Sequence, residues 1–131
     1  MTDDLYRDYI LEHYKRPRNF GELDSPDLEA HEHNPLCGDE LGVQIAVADG
    51  RIADLRFNGR GCAISQAAAS IASEELIGMD LAAAGALEAD WMLDLLGIPV
   101  SATRRKCALL SLKAVRRALT GDDGWPTDGG A

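Results

Sequence analysis

The chain has 131 residues, and 13 basic against 22 acidic side chains give it a formal net charge of −9 at pH 7. A content of 27% charged and 46% hydrophobic residues is typical of a globular protein rather than of a disordered or collagen-like chain. The acidic balance argues against binding to nucleic acid or to an anionic membrane, since both attract cationic surfaces. The length predicts a single domain over residues 1–120, followed by a flexible tail over residues 121–131 that is rich in glycine and aspartate.

The opening residues contain no basic segment followed by an apolar run, so they predict no secretory signal peptide. No apolar stretch approaches the roughly 20 residues that a membrane-spanning helix needs. We therefore expect a cytoplasmic protein. In that reducing compartment three cysteines, an odd number, indicate metal ligands or nucleophiles rather than disulfide partners.

The first half of the chain carries one helical pattern and then strand patterns. Apolar residues at helical spacing predict a first helix that ends before Pro17. Alternating apolar residues predict strands over residues 41–47 and 52–57, joined by a tight turn at Asp49-Gly50. The shift of the alternation between Ile52 and Leu55 indicates either a β-bulge or an imprecise strand boundary. The polar residues 28–33 fit a third, edge strand.

The second half of the chain is helical in pattern. It predicts a helix over residues 64–77, one or two short helices over residues 80–96, and a last helix that begins after Ser101 or Thr103. The order of helix, strands and helices predicts an α+β fold, in which several helices pack on one face of a small antiparallel sheet of about three strands.

The cysteines carry the clearest chemical signal. Cys37, Cys62 and Cys107 form no Cys-x-x-Cys pair, so their spacing alone is weak evidence for zinc. Cys37 lies in a predicted loop where Gly38 lets the Asp39 carboxylate approach the same point. The other two cysteines lie near predicted helix starts, where the helix dipole favours the thiolate. The alternative is that each cysteine is a small core residue and that Asp39 is a turn residue.

Basic side chains flank two of the cysteines. Arg60 precedes the second by two positions, and Arg105 and Lys106 directly precede the third. We expect these three to stabilise a thiolate, and residues 104–106 to steer the docking of an acidic partner.

Other polar residues have simpler interpretations. Lys113, Arg116 and Arg117 fit the solvated side of the last helix. His31 and His33 are either substitute metal ligands or solvent-facing residues of an edge strand.

Three segments surround the cysteines in order: residues 35–39 (PLCGD), 59–65 (GRGCAIS) and 105–111 (RKCALLS). Together with residues 5–19, they resemble the IscU, SufU and NifU N-terminal family of iron–sulfur cluster assembly scaffolds. The resemblance covers about residues 5–119. It implies a compact α+β domain that works with a cysteine desulfurase.

The resemblance also implies a site and its chemistry. Cys37, Asp39, Cys62 and Cys107 would bind zinc, or alternatively iron or a [2Fe–2S] cluster. A SufS-like cysteine desulfurase would transfer persulfide sulfur to Cys37, the catalytic residue, and downstream assembly proteins or apo-proteins would receive the product. The chain would then be either a zinc-dependent sulfurtransferase or a non-enzymatic scaffold. The alternatives are an interaction domain with purely structural zinc, and a cysteine-nucleophile enzyme, for which no Cys/His motif is apparent.

Two features bear on the branch of the family. The lysine directly before the third cysteine, Lys106, is a feature shared with SufU proteins, whereas IscU proteins typically have histidine at that position. The interval of 45 residues between Cys62 and Cys107 is too short for the insertion usual in SufU. A protonated lysine cannot bind a metal, so we interpret the chain as closest to SufU, without its insertion, and suited to sulfur relay.

Overall fold

The computed structural model describes the backbone of residues 2–127 and the side chains from residue 7 onward. Within this part, one helix precedes a three-stranded sheet and four further helices follow it, so the predicted α+β class is confirmed. The elements are α1 (Thr2–Lys15), β1 (Leu28–Asn34), β2 (Asp39–Ala48), β3 (Arg51–Arg60), α2 (Ala63–Leu76), α3 (Leu81–Gly85), α4 (Ala89–Leu96) and α5 (Ala102–Thr120). None of these helices is both long enough and apolar enough to cross a membrane.

The sheet is antiparallel in the order β1-β2-β3, with the polar strand β1 at the edge as predicted. Asp49 and Gly50 both have positive φ angles, of 55° and 75°, as a tight hairpin turn requires. The pairing shifts after Ala46, so that Ala53 of β3 has no directly opposite residue. This irregularity agrees with the bulge interpretation of the broken alternation.

The apolar face of the sheet packs against α2 and α5, and α1 packs against α2. The alternation of apolar residues in β2 and β3 places one set of side chains in the core: Leu41, Val43, Ile45, Ile52, Leu55 and Phe57. Helix α2 is rich in alanine and serine, and most of its residues are buried, because small side chains permit close approach to the sheet and to α5. The core is therefore continuous from the sheet through the helix layer.

Part of the predicted tail contacts the domain. Trp125 is half-buried, and the Lys106 ammonium lies 5.3 Å from the centre of its indole ring. The carbonyl oxygen of Thr127 accepts a hydrogen bond of 2.8 Å from the Ala89 amide. Trp125 thus contacts α5 and Thr127 contacts α4, whereas residues 121–124 are exposed and residues 128–131 lie outside the described part of the chain.

Candidate metal centre

The loop that carries Cys37 is a tight turn between β1 and β2. The amides of Cys37 and Gly38 both donate to the carbonyl of Asn34, at 3.2 and 2.8 Å. Gly38 has a φ of 73°, a left-handed conformation that disfavours any side chain. The turn leaves Cys37 exposed and sets Asp39, the first residue of β2, in a buried position.

Cys62 lies at the N-cap of α2, as the sequence predicts. Its backbone amide donates a 2.9 Å hydrogen bond to Oδ1 of Asp39, and its Sγ lies 3.8 Å from Oδ2 of the same carboxylate. Asp39 therefore joins the start of β2 to the start of α2. The two elements meet here because the first residues of β2 pair with the last residues of β3.

Cys107 lies deeper than the sequence predicts. It is the sixth residue of α5, beyond the first turn, and it is 1% exposed. Burial raises the pKa of its thiol well above the usual range, and its neighbours Cys37, Asp39 and Cys62 raise it further. The prediction that the helix N-terminus favours the Cys107 thiolate is thus wrong, because desolvation outweighs the dipole of a helix start that is more than a turn away.

The three cysteines and the aspartate come together around the Asp39 carboxylate. The ligand atoms of Cys37, Asp39 and Cys107 all lie within 4.8 Å of one another, and Cys62 contacts Asp39 from the start of α2. Zinc–sulfur bonds of about 2.3 Å place the ligands of a tetrahedral site roughly 4 Å apart. The ligand atoms of Cys37, Asp39 and Cys107 are thus close enough to share one ion, and thiols with one carboxylate are chemically suited to zinc or iron. Cys62 lies outside this close group and would have to move closer to become a fourth ligand.

Three polar residues near the cysteines were not predicted from the sequence. The buried Asn34 amide lies 3.9 Å from the Cys107 sulfur. Nε2 of Gln66 and Oγ of Ser111 are buried without a hydrogen-bond partner among the described residues. Each of these two residues follows a cysteine by four positions, which places it on the same helix face one turn later. For Gln66 and Ser111, only this four-residue spacing in the sequence could have indicated a place near the cysteines.

The basic residues predicted to stabilise the cysteine sulfurs do not all lie beside them in the structure. The Arg60 side chain is 83% exposed, and its Nε lies 3.2 Å from a carboxylate oxygen of Glu40. The Lys106 ammonium stacks over Trp125, and Arg105 is half-buried. The structure does not place the charges of Arg60 and Lys106 on the sulfurs, so the sulfur-stabilising role of the three residues stays a prediction.

The histidines that we considered as substitute ligands face away from the site. His31 and His33 are exposed residues of the edge strand β1. The group of mutually close ligand atoms in the described residues does not include either of them. Their placement agrees with the solvent-facing interpretation.

An antiparallel sheet backed by helices, with three thiols and one carboxylate gathered at the end of the sheet, defines a small α+β domain with a candidate metal site. Residues 5–122 match the family described as the NifU-like N terminal domain. The chain belongs to this family, which includes the IscU and SufU proteins.

Relatives of known name agree with this assignment. The chain is 32% identical to the zinc-dependent sulfurtransferase SufU of Bacillus subtilis, over 93% of this chain and 94% of that protein. It is 33% identical to the iron–sulfur cluster assembly scaffold protein IscU 1 of Archaeoglobus fulgidus, over 88% of this chain and 74% of that protein. The crystal structure of the N-terminal part of a NifU-like protein from Brucella abortus superposes with a TM-score of 0.70 at 28% identity, over 88% and 92% of the two chains.

Proposed function

We propose that this protein accepts persulfide sulfur from a SufS-like cysteine desulfurase and binds zinc at Cys37, Asp39, Cys62 and Cys107. It would pass the sulfur on to downstream cluster-assembly or apo-protein acceptors. The observation that carries the proposal is the difference in exposure between two touching thiols. Cys37 is exposed on a turn, whereas Cys107 is buried in α5 with its Sγ only 3.1 Å away.

This difference supports separate roles for the cysteines. A sulfur acceptor must be reached by the thiol of a partner, and Cys37 meets that requirement best. Asp39 lies in a strand, Cys107 lies in a helix and Cys62 is the N-cap of another helix, so these three would remain in place when the Cys37 turn moves. Zinc bound at the site would keep its coordinating thiols deprotonated. The SufU relative of Bacillus subtilis is named a zinc-dependent sulfurtransferase, which supports the combination of zinc binding and sulfur transfer.

A second candidate function uses the same four residues. The IscU relatives are named as scaffolds, and three thiols with one carboxylate also suit iron or a [2Fe–2S] cluster as cargo. The aspartate oxygen would make such a site more labile than four thiolates, which suits delivery. Sulfur transfer to Cys37 would then be the first step of assembly on the chain.

The test is a Cys37→Ser variant assayed with a SufS-like desulfurase and sulfur-labelled cysteine. We expect the variant to retain most of its zinc, because three ligands remain, but to take up no labelled sulfur and to lose stimulation of the desulfurase. His33→Ser, an exposed change on the neighbouring strand, should leave zinc content, labelling and stimulation unchanged. Unchanged labelling and stimulation in Cys37→Ser would remove the relay mechanism.

A further inference from the structure

Two of the thiols are already in contact. The Sγ atoms of Cys37 and Cys107 lie 3.1 Å apart, about 1 Å beyond the length of a disulfide bond. The two residues are 70 positions apart in sequence, so the fold itself creates this pair. Cys62 does not belong to the group of mutually close ligand atoms, and its Sγ contacts the Asp39 carboxylate instead.

We propose that, in the metal-free chain, Cys107 is the resolving thiol that releases sulfide from a persulfide formed on Cys37. This inference rests on the proposed function, which supplies the persulfide. It adds an activity to the site: the reductive release of sulfane sulfur without an external reductant. A metal coordinated by the Cys107 sulfur would prevent that sulfur from attacking, so sulfide release is proposed for the metal-free chain.

The reaction is a thiol–disulfide exchange. The Cys107 thiol gives up its proton as its Sγ attacks the Sγ of Cys37; a bond forms between these two sulfurs, and the bond between the Cys37 Sγ and the outer sulfur breaks. The outer sulfur leaves as hydrosulfide and takes up the proton lost by Cys107, which gives hydrogen sulfide. The sulfane sulfur is reduced, and the two cysteines are oxidised to a disulfide. All atoms and electrons come from the persulfide and the second thiol.

The position of Cys37 favours attack by Cys107 on the inner persulfide sulfur, the Sγ of Cys37, over attack on the outer sulfur. Cys37 is on the exposed side of the pair and Cys107 on the buried side. An added sulfur finds room toward solvent, and the inner sulfur stays in contact with Cys107. Hydrosulfide is also a weaker base than an alkyl thiolate, which makes it the better leaving group.

The experiment compares two variants that each keep Cys37 and one other thiol. Cys62→Ser keeps the Cys37 and Cys107 pair, and Cys107→Ser keeps Cys37 and Cys62. Each metal-free protein is loaded with glutathione persulfide and freed of the excess. Hydrogen sulfide is then measured over time, with peptide mass mapping of the cysteines. Because Cys37 is loaded chemically, failure here is distinct from failure of transfer from a desulfurase.

We expect Cys62→Ser to release sulfide roughly tenfold or more faster than Cys107→Ser, since its two sulfurs are held in contact. Cys62→Ser should form a disulfide between Cys37 and Cys107, whereas Cys107→Ser should retain the extra sulfur on Cys37. The same disulfide should form in the loaded wild-type chain, a result that requires no variant to fold. Equal release rates, a disulfide to Cys62, or transfer of the extra sulfur to Cys107 without release would overturn the proposal.

Discussion

Gly61 controls how closely the second cysteine approaches Asp39. A Cβ at this position would lie 2.8 Å from Cγ of Asp39 and 2.7 Å from Oγ of Ser65, and closer still to Oδ1 of Asp39. Real side chains do not tolerate such distances, so any larger residue would displace the carboxylate. The same carboxylate oxygen accepts the hydrogen bond from the Cys62 amide. The glycine before Cys62 is thus required by packing at the site.

We predict that Gly61→Ala weakens zinc binding by about 10- to 100-fold, the usual effect of disturbing residues that orient metal ligands. The added methyl group would push Asp39 out of line with the sulfurs. Competition with a chromogenic chelator measures the affinity, and circular dichroism checks the fold.

The matched control for this prediction is Gly42→Ala in the middle of β2. There the nearest atoms to the new Cβ would be side-chain atoms of Asn58 and His31, at 3.2 and 3.5 Å, and no cysteine atom is among them. We expect this variant to bind zinc with wild-type affinity. Equal affinities for wild type and Gly61→Ala would show that Asp39 does not need its present position.

At the level of single residues, sequence reasoning identified the groups whose chemistry is unusual and missed those whose importance comes from burial. Cys37, Asp39 and Cys62 lie where their motifs and the predicted turn and helix start placed them. The Cys107 pKa was mispredicted because the pattern does not show how deeply a helix residue is buried. The Asn34 contact with Cys107 spans 73 positions and has no local signature.

The elements β1 and α5 are tied by a buried ion pair. Nζ of Lys113 donates to Oε1 of Glu32 at 2.7 Å, and Nη1 of Arg117 donates to Oε2 at 2.9 Å. The Lys113 side chain is only 10% exposed, so the prediction that it faces solvent is wrong. Lys113 is drawn inward because the edge strand presents an acid to the helix.

The pKa of Glu32 depends on both its burial and its two basic partners. Burial by itself would raise the pKa of this carboxyl, but the hydrogen bonds from Lys113 and Arg117 outweigh it and hold the pKa below its ordinary value. The ionised form therefore stabilises the fold above the ordinary pKa. This stabilisation is lost as the pH falls toward the folded-state pKa.

We predict that Lys113→Met lowers the free energy of unfolding by about 3 kcal/mol, because it leaves the buried Glu32 carboxylate short of a partner. Arg117→Met removes the more exposed partner of the same carboxylate and should lower the free energy of unfolding far less than Lys113→Met, because solvent screens an exposed ion pair. Urea unfolding at several pH values measures both. Between neutral and acidic pH, the free energy of unfolding should change less in Lys113→Met than in wild type. If the two variants lose the same free energy of unfolding, the buried pairing of Lys113 with Glu32 would be contradicted.

Elements with strong periodicity were predictable, and contacts between distant segments were not. The hairpin, its bulge and the edge strand follow from alternation and turn residues within 33 positions, from residue 28 to residue 60. The packing of Trp125 on α5 depends on tertiary burial, because glycine and aspartate around it give no ordered local pattern. Composition alone therefore suggested a free tail from residue 121.

On the scale of the whole molecule, the candidate metal centre lies beside a core that does not depend on it. The ligands come from the β1–β2 turn, the start of β2, the start of α2 and the second turn of α5. The buried core of the sheet, α2, α4 and α5 consists of apolar side chains. We expect these contacts to hold the same elements together without a metal, unlike in small zinc domains that are unfolded when the metal is absent.

We therefore predict that the chelated protein stays folded and that zinc raises its thermal stability in a concentration-dependent way. Free zinc at about 100 times its dissociation constant should add about 2.7 kcal/mol, because the metal binds the folded chain more tightly than the unfolded one. Calorimetry with and without zinc measures the shift, and magnesium should produce none, since thiolates are soft ligands. Loss of the cooperative transition and of helical circular dichroism on chelation would contradict this prediction and favour a purely structural zinc domain.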